Sequence, residues 1–121
     1  MSVRSMKLSD AETKQILGGP IKIVVTPDTM QSKNLVFVVG DFAPGEGLVP
    51  HIHPKSEEVY YVVSGEGTVY AGAEKKPMPV SGGMVLYIPE GTPHYVRNTG
   101  KEQLQIGFFL SPGTEDPTVL E

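Results

Sequence analysis

This 121-residue chain has three histidines, and they fall in two short stretches. His51-Ile52-His53-Pro54-Lys55-Ser56-Glu57-Glu58 holds two of them beside a pair of carboxylates, and Pro89-Glu90-Gly91-Thr92-Pro93-His94 supplies the third just after a tight turn. Side chains alternate faces along a strand, so His51 and His53 project together while Ile52 projects the other way. Pro54, Lys55 and Ser56 allow a turn, after which the carboxylate of Glu57 or of Glu58 can return to the same point. The chemistry assembled in this way is that of a divalent metal bound by nitrogen and oxygen. Sulfur plays no part, because the chain has no cysteine. His-x-His alone is a weak signal, since a histidine on a strand is more often a surface or satisfied core residue.

The frame around these residues carries more weight. Gly45, five residues, His51, one, His53, four, Glu58, six and Gly65 follow one another in that order. Gly83, five residues, Pro89, one, Gly91, two, His94, three and Asn98 follow later. The two series resemble the first and second motifs of the cupin superfamily, and the chain looks like a small single-domain cupin. The resemblance implies an all-β fold of the cupin type, a double-stranded β-helix or jelly-roll barrel. It also implies one divalent transition metal ion (Fe, Mn, Ni, Cu or Zn) held by His51, His53, Glu58 and His94. The interval before Gly65 selects Glu58, and a strand starting there sends Glu57 to the opposite, solvated face.

The elements that must position these residues read as short strands. Fourteen glycines and eleven prolines recur between brief apolar runs, as in a turn-rich β domain. Ser9-Asp10-Ala11-Glu12 has the form of a capping box, so a short helix is expected over Asp10–Leu17, stopped by Gly18-Gly19-Pro20. Strands are expected at Ile21–Val25, Leu35–Val39, Val49–His53, Glu58–Val63, Thr68–Ala71, Met84–Ile88, His94–Asn98 and Leu104–Leu110. Gly40 suggests a bulge or a close backbone contact. Ser64-Gly65-Glu66-Gly67 and Thr99-Gly100-Lys101 read as hairpin turns, and Ala73–Pro79 as a polar hairpin loop. Residues 1–20 form an N-terminal segment carrying the helix, 21–111 the single barrel, and 112–121 a tail expected to be partly mobile.

Composition narrows the partners. The length suits one domain with a real core. The formal net charge is −4, and no basic cluster or aromatic-plus-arginine platform suggests nucleic acid. No membrane span or secretory h-region is apparent, and a soluble, cytoplasmic protein is the default. Val59–Val63, Met84–Ile88 and Leu35–Val39 are apolar on both faces, so one face lines a barrel and the other needs a cover. A second copy of the chain, giving a homodimer, is the natural one.

Four protein ligands on an octahedral ion would leave two positions for water, substrate or dioxygen. One carboxylate leaves a divalent ion with about one positive charge, which attracts carboxylates, enolates and hydroxy-ketones. The resemblance admits oxygenase, decarboxylase, isomerase and lyase chemistry on a small polar or anionic molecule, with a dioxygenase-like reaction as the leading choice. The alternative is a non-catalytic module that binds or senses a small ligand through the metal. Alternation from Glu58 turns Tyr60 and Val62 inward, and from His94 it turns Val96 and Asn98 inward. Tyr60 is a weak candidate for a catalytic hydroxyl, set against an equal claim as a barrel-lining aromatic with its OH at the rim, and Asn98 more naturally braces a turn. Phe37, Tyr70, Met84, Gln103, Gln105 and Phe108 are candidates for the pocket wall.

Overall fold

A computed structural model describes residues 2–113 and 116–120. The strands are β1 (Glu12–Ile16), β2 (Gly19–Val25), β3 (Val36–Phe42), β4 (His51–Ile52), β5 (Glu57–Ser64), β6 (Glu66–Ala71), β7 (Lys76–Ser81), β8 (Val85–Ile88), β9 (His94–Arg97), β10 (Leu104–Ser111) and β11 (Thr118–Val119). They build a six-stranded sheet, β1-β2-β3-β10-β5-β8, and a five-stranded sheet, β11-β4-β9-β6-β7, both antiparallel. This is the all-β jelly-roll architecture expected from the sequence. Among the described residues no helix is long and apolar enough to cross a membrane.

The core lies between the sheets. Phe42, Tyr60, Val62, Leu104, Ile106 and Phe108 enter it from the six-stranded sheet, and Val69, Val80 and Val96 from the other. Each such side chain contributes roughly 1.5–3 kcal/mol by leaving water. Alternation along β5 is strict: Glu58, Tyr60 and Val62 are buried, while Glu57, Tyr61 and Val63 are exposed. Expected strands that were apolar on both faces do leave apolar groups outside. Leu35, Tyr61, Val63, Val85, Tyr87 and Phe109 are all exposed.

The N-terminal helix does not form. Only Leu8–Asp10 winds, as a 3-10 turn without a side-chain cap, and Glu12–Ile16 is a strand. A helix of that length is marginal alone, whereas β1 satisfies its backbone on β2. Leu17 (φ 53°) and Gly18 (φ 84°) are both left-handed and place Ile16 opposite Gly19. That is the geometry of a two-residue hairpin turn matching strand twist, so the glycines read as a helix stop are a strand reversal. The chain does carry a capping box elsewhere. Thr26 and Thr29 each accept a hydrogen bond from the other's backbone N–H at the start of α1 (Pro27–Met30), between the strands expected at Ile21–Val25 and Leu35–Val39.

Two other expectations need correction. Gly65 and the Thr99–Lys101 turn do not close hairpins, because β5 and β6, like β9 and β10, belong to different sheets. They are corners at which the chain changes sheet. Gly65 sits there at φ 90°, with the position of a Cβ only 2.3 Å from the Gln103 carbonyl oxygen. A larger residue would prise the corner open. The loop expected over Ala73–Pro79 is shorter, since β7 begins at Lys76. Gly40 is the close contact and not a bulge. A Cβ there would lie 2.5 Å from the Phe42 ring, and its pairing with Ile106 is regular.

The tail also returns to the fold. Thr118 pairs with Ile52 and Val119 with His51, and the Leu120 N–H donates to the Pro50 carbonyl at 2.9 Å.

Candidate metal centre

Three of the four candidate donors stand on or beside the five-stranded sheet. His51 opens β4 and lies directly across the ladder from His94, the first residue of β9, so register alone brings their rings to 4.3 Å between centroids. His53 follows β4 and presents its ring edge to His51 at 4.9 Å. The Gly91 N–H donates to the His53 carbonyl at 2.9 Å, tying the turn before β9 to this stretch. Glu58 comes from the opposite sheet and projects across the gap. The cluster therefore bridges the two sheets. One donor atom from each of His51, His53, Glu58 and His94 lies within 4.8 Å of the other three, and all four residues are buried.

Glu57 is excluded by geometry. It is exposed on the other face of β5, and its Oε1 accepts a hydrogen bond from the Tyr87 hydroxyl at 2.5 Å.

Backbone carbonyls set the tautomers of two imidazoles. The residue before a proline is held extended, and both Val49-Pro50-His51 and Thr92-Pro93-His94 have this form. In each, the carbonyl two residues upstream faces the ring: His51 Nδ1 is 2.8 Å from the Val49 oxygen, and His94 Nδ1 is 2.8 Å from the Thr92 oxygen. A carbonyl only accepts, so each Nδ1 carries the proton and donates it. Each Nε2 then offers a lone pair to the interior. The repeated Pro-His dipeptide was a readable signal for this support.

The lone pair of His94 faces a carboxylate. Nε2 lies 2.8 Å from Glu58 Oε1, and His53 Nε2 lies 3.4 Å from the same oxygen. A neutral imidazole acceptor facing a carboxylate acceptor is repulsive. A buried carboxylate without a positive neighbour also costs several kcal/mol. Either a proton or a cation must lie between them. His51, beside this pair, itself resists protonation. Burial, then the positive charges that His94 and His53 would carry, lower its pKa from 6.5 to about 4, against the Val49 hydrogen bond and Glu58. His51 thus stays neutral near pH 7, and the four donors together could hold one divalent ion. Three imidazoles and a carboxylate are a donor set for first-row transition metals.

Beyond the four, Tyr60 faces the same interior, two residues along β5 from Glu58. Its ring stands edge-on to His94 at 5.7 Å and to Phe108 at 4.6 Å. Ile88 and Leu110 pair with Glu58 from the flanking strands. Asn98 braces a corner, donating to the Phe42 and Glu102 carbonyls at 2.8 and 2.7 Å. Of the expected wall residues, Phe108 is buried inside and Met84 packs partly buried on the core. Phe37 stacks on Phe109, Tyr70 on Tyr95, Gln105 binds Asp41 and Gln103 is exposed, so none of these four lines the site. Strand parity places them outside. Sequence reasoning missed the burial of Ser56, in the turn between His53 and Glu58, whose hydroxyl donates to the Pro112 carbonyl. It also missed β11, whose two residues carry no periodic signal.

Comparison with known proteins agrees with this fold. The family description "Cupin domain" matches residues 38–111. The polyketide synthase CurC of Streptomyces cyaneus is 32% identical over 119 residues, spanning 98% of this chain and 76% of that protein. An oxalate-binding protein of Thermotoga maritima is 27% identical over 109 residues, 87% of this chain and 88% of the relative. The structure of the polyketide cyclase RemF of Streptomyces resistomycificus superimposes with a TM-score of 0.84 at 14% identity, over 99% of this chain and 87% of that one, a likeness of fold.

Proposed function

The chain belongs to the cupin domain family, and we propose that it is a metal-dependent enzyme in which His51, His53, Glu58 and His94 hold one divalent transition ion. Its substrate is a small, oxygen-rich molecule that is anionic or becomes so on binding. The observation that carries this reading is the 2.8 Å approach of His94 Nε2 to Glu58 Oε1, with Nδ1 already committed to the Thr92 carbonyl. When bound, such an ion supplies Lewis-acid polarisation of a substrate oxygen or a place for dioxygen.

The chain's own residues do the rest. The Val49 and Thr92 carbonyls hold the His51 and His94 rings in one tautomer and orientation. Glu58 contributes one negative charge, so a divalent occupant keeps about one positive charge toward the ligand. Burial excludes bulk water and strengthens every charge interaction inside. Ile88 and Leu110, paired with Glu58 across β8 and β10, offer aliphatic surface to the body of a substrate. That combination suits an enolisable carbonyl compound, with an oxygenase, isomerase or decarboxylase outcome, and the similarity to a protein named as a polyketide synthase supports it.

A second reading has its own support. The relative named as an oxalate-binding protein is matched over 88% of its length, which favours a module that holds a small dicarboxylate on the metal without turnover. The two readings part in one assay: metal-loaded protein is incubated with oxalate and, separately, with an enolisable β-dicarbonyl compound, with and without dioxygen. Loss of the dicarbonyl compound supports the enzyme; binding with complete recovery of both supports the module.

The centre itself is tested by elemental analysis of protein purified without chelators. Wild type and Glu57→Ala should hold about one ion per chain, and Glu58→Gln should lose it. Equal occupancy in all three would overturn the ligand set. The functional unit we propose is a homodimer, with the partner covering the outer apolar face of the six-stranded sheet around Tyr61, Val85, Tyr87 and Phe109.

A further inference from the structure

Tyr60 is the largest of the fully buried side chains, with 0% of its surface exposed. Its hydroxyl has no hydrogen-bond partner among the described residues. A hydroxyl sealed from water without a partner costs about 1–3 kcal/mol, and phenylalanine would fill the same space without that cost. The ring is fixed edge-on between His94 and Phe108, so the hydroxyl cannot swing out to solvent. The hydroxyl is therefore carried by a ring packed against a residue of the centre, a donor with no acceptor among the described residues.

We propose that the Tyr60 hydroxyl is the interior recognition group of the site, donating its hydrogen bond to an oxygen or nitrogen atom of the anion bound at the metal centre. This rests on the proposed centre and extends it, because it assigns the polar contact that selects ligands from the barrel side. A ligand with a second acceptor atom, such as a dicarboxylate or an enolised dicarbonyl compound, can engage ion and hydroxyl together. An apolar or singly coordinating ligand would leave the hydroxyl orphaned. No proton is transferred in this role. Tyr60 orients and discriminates.

The test compares wild type with Tyr60→Phe, which keeps the ring packing. Two measurements are made: thermal unfolding of the chelator-stripped proteins, and binding of azide and of oxalate to the Co(II)-loaded proteins by visible absorption. The metal-free variant should melt at the same temperature as wild type or a few degrees higher. Its anion dissociation constants should rise about tenfold. A lower melting point for the metal-free variant would show that the hydroxyl has a structural partner and would overturn the proposal. So would unchanged anion affinity, or a Co(II)-loaded wild type that binds neither anion. Failure of wild type to take up Co(II) at all would instead remove the centre itself, a distinguishable result.

Discussion

Acidification of the metal-free protein should expose the cost of the His51 environment. In the unfolded chain its imidazole binds a proton below 6.5, whereas in the folded protein it waits until about 4. Between those values the unfolded state holds more protons, so stability falls as pH falls, by up to about 1.4 kcal/mol per pH unit. Over the whole window the loss is about 3 kcal/mol, a large share of the 5–15 kcal/mol typical of a domain. In a chain of this size that corresponds to a melting point lower by roughly 10 °C. Urea titrations across that range, with chelator present, measure it for wild type and for His51→Asn. The variant lacks the titrating ring, so its curve should be shallower by about that amount between 6.5 and 4, with the two running parallel above 6.5. Parallel curves throughout would refute the reasoning, because they would mean that His51 titrates alike in the folded and unfolded chains.

Two further outcomes follow from packing. Gly40→Ala places a methyl group 2.5 Å from the Phe42 ring and 2.9 Å from that of Phe108, both buried. It should destabilise the fold by about 1–3 kcal/mol in urea unfolding, and no loss would mean that the rings move freely. Val85→Glu with Tyr87→Glu, two exposed positions on the outer face of β8, should convert the proposed dimer to monomer in light scattering with metal content unchanged. A wild-type protein that is already monomeric would remove that interface.

The site was more legible in the sequence than the scaffold, and the reason is distance along the chain. Two-residue alternation decides which way His51, His53, Glu57 and Glu58 point, and only a turn separates the two pairs. Alternation separates Glu57 from Glu58, and the six-residue interval before Gly65 in the family resemblance chose Glu58, which is buried while Glu57 is exposed. Glu12–Ile16 was opaque because its strand state depends on β2, whose edge supplies the hydrogen bonds. Gly65 signalled a sharp bend correctly. No local residue, however, could say whether the bend joins neighbours in one sheet or carries the chain into the other. Val119 shows the limit most clearly, since its pairing with His51 arises between segments far apart in sequence.

The bridging of two sheets by the four donors also sets when the site can come into being. His51 and His53 are neighbours, so an unfolded chain already offers a weak two-imidazole claw. Glu58 and His94 are 36 residues apart and enter from opposite layers. The complete cage exists only once the layers have docked. Tight metal uptake would then belong to the closing stage of barrel assembly, and the ion would act as a latch set after the walls are in place.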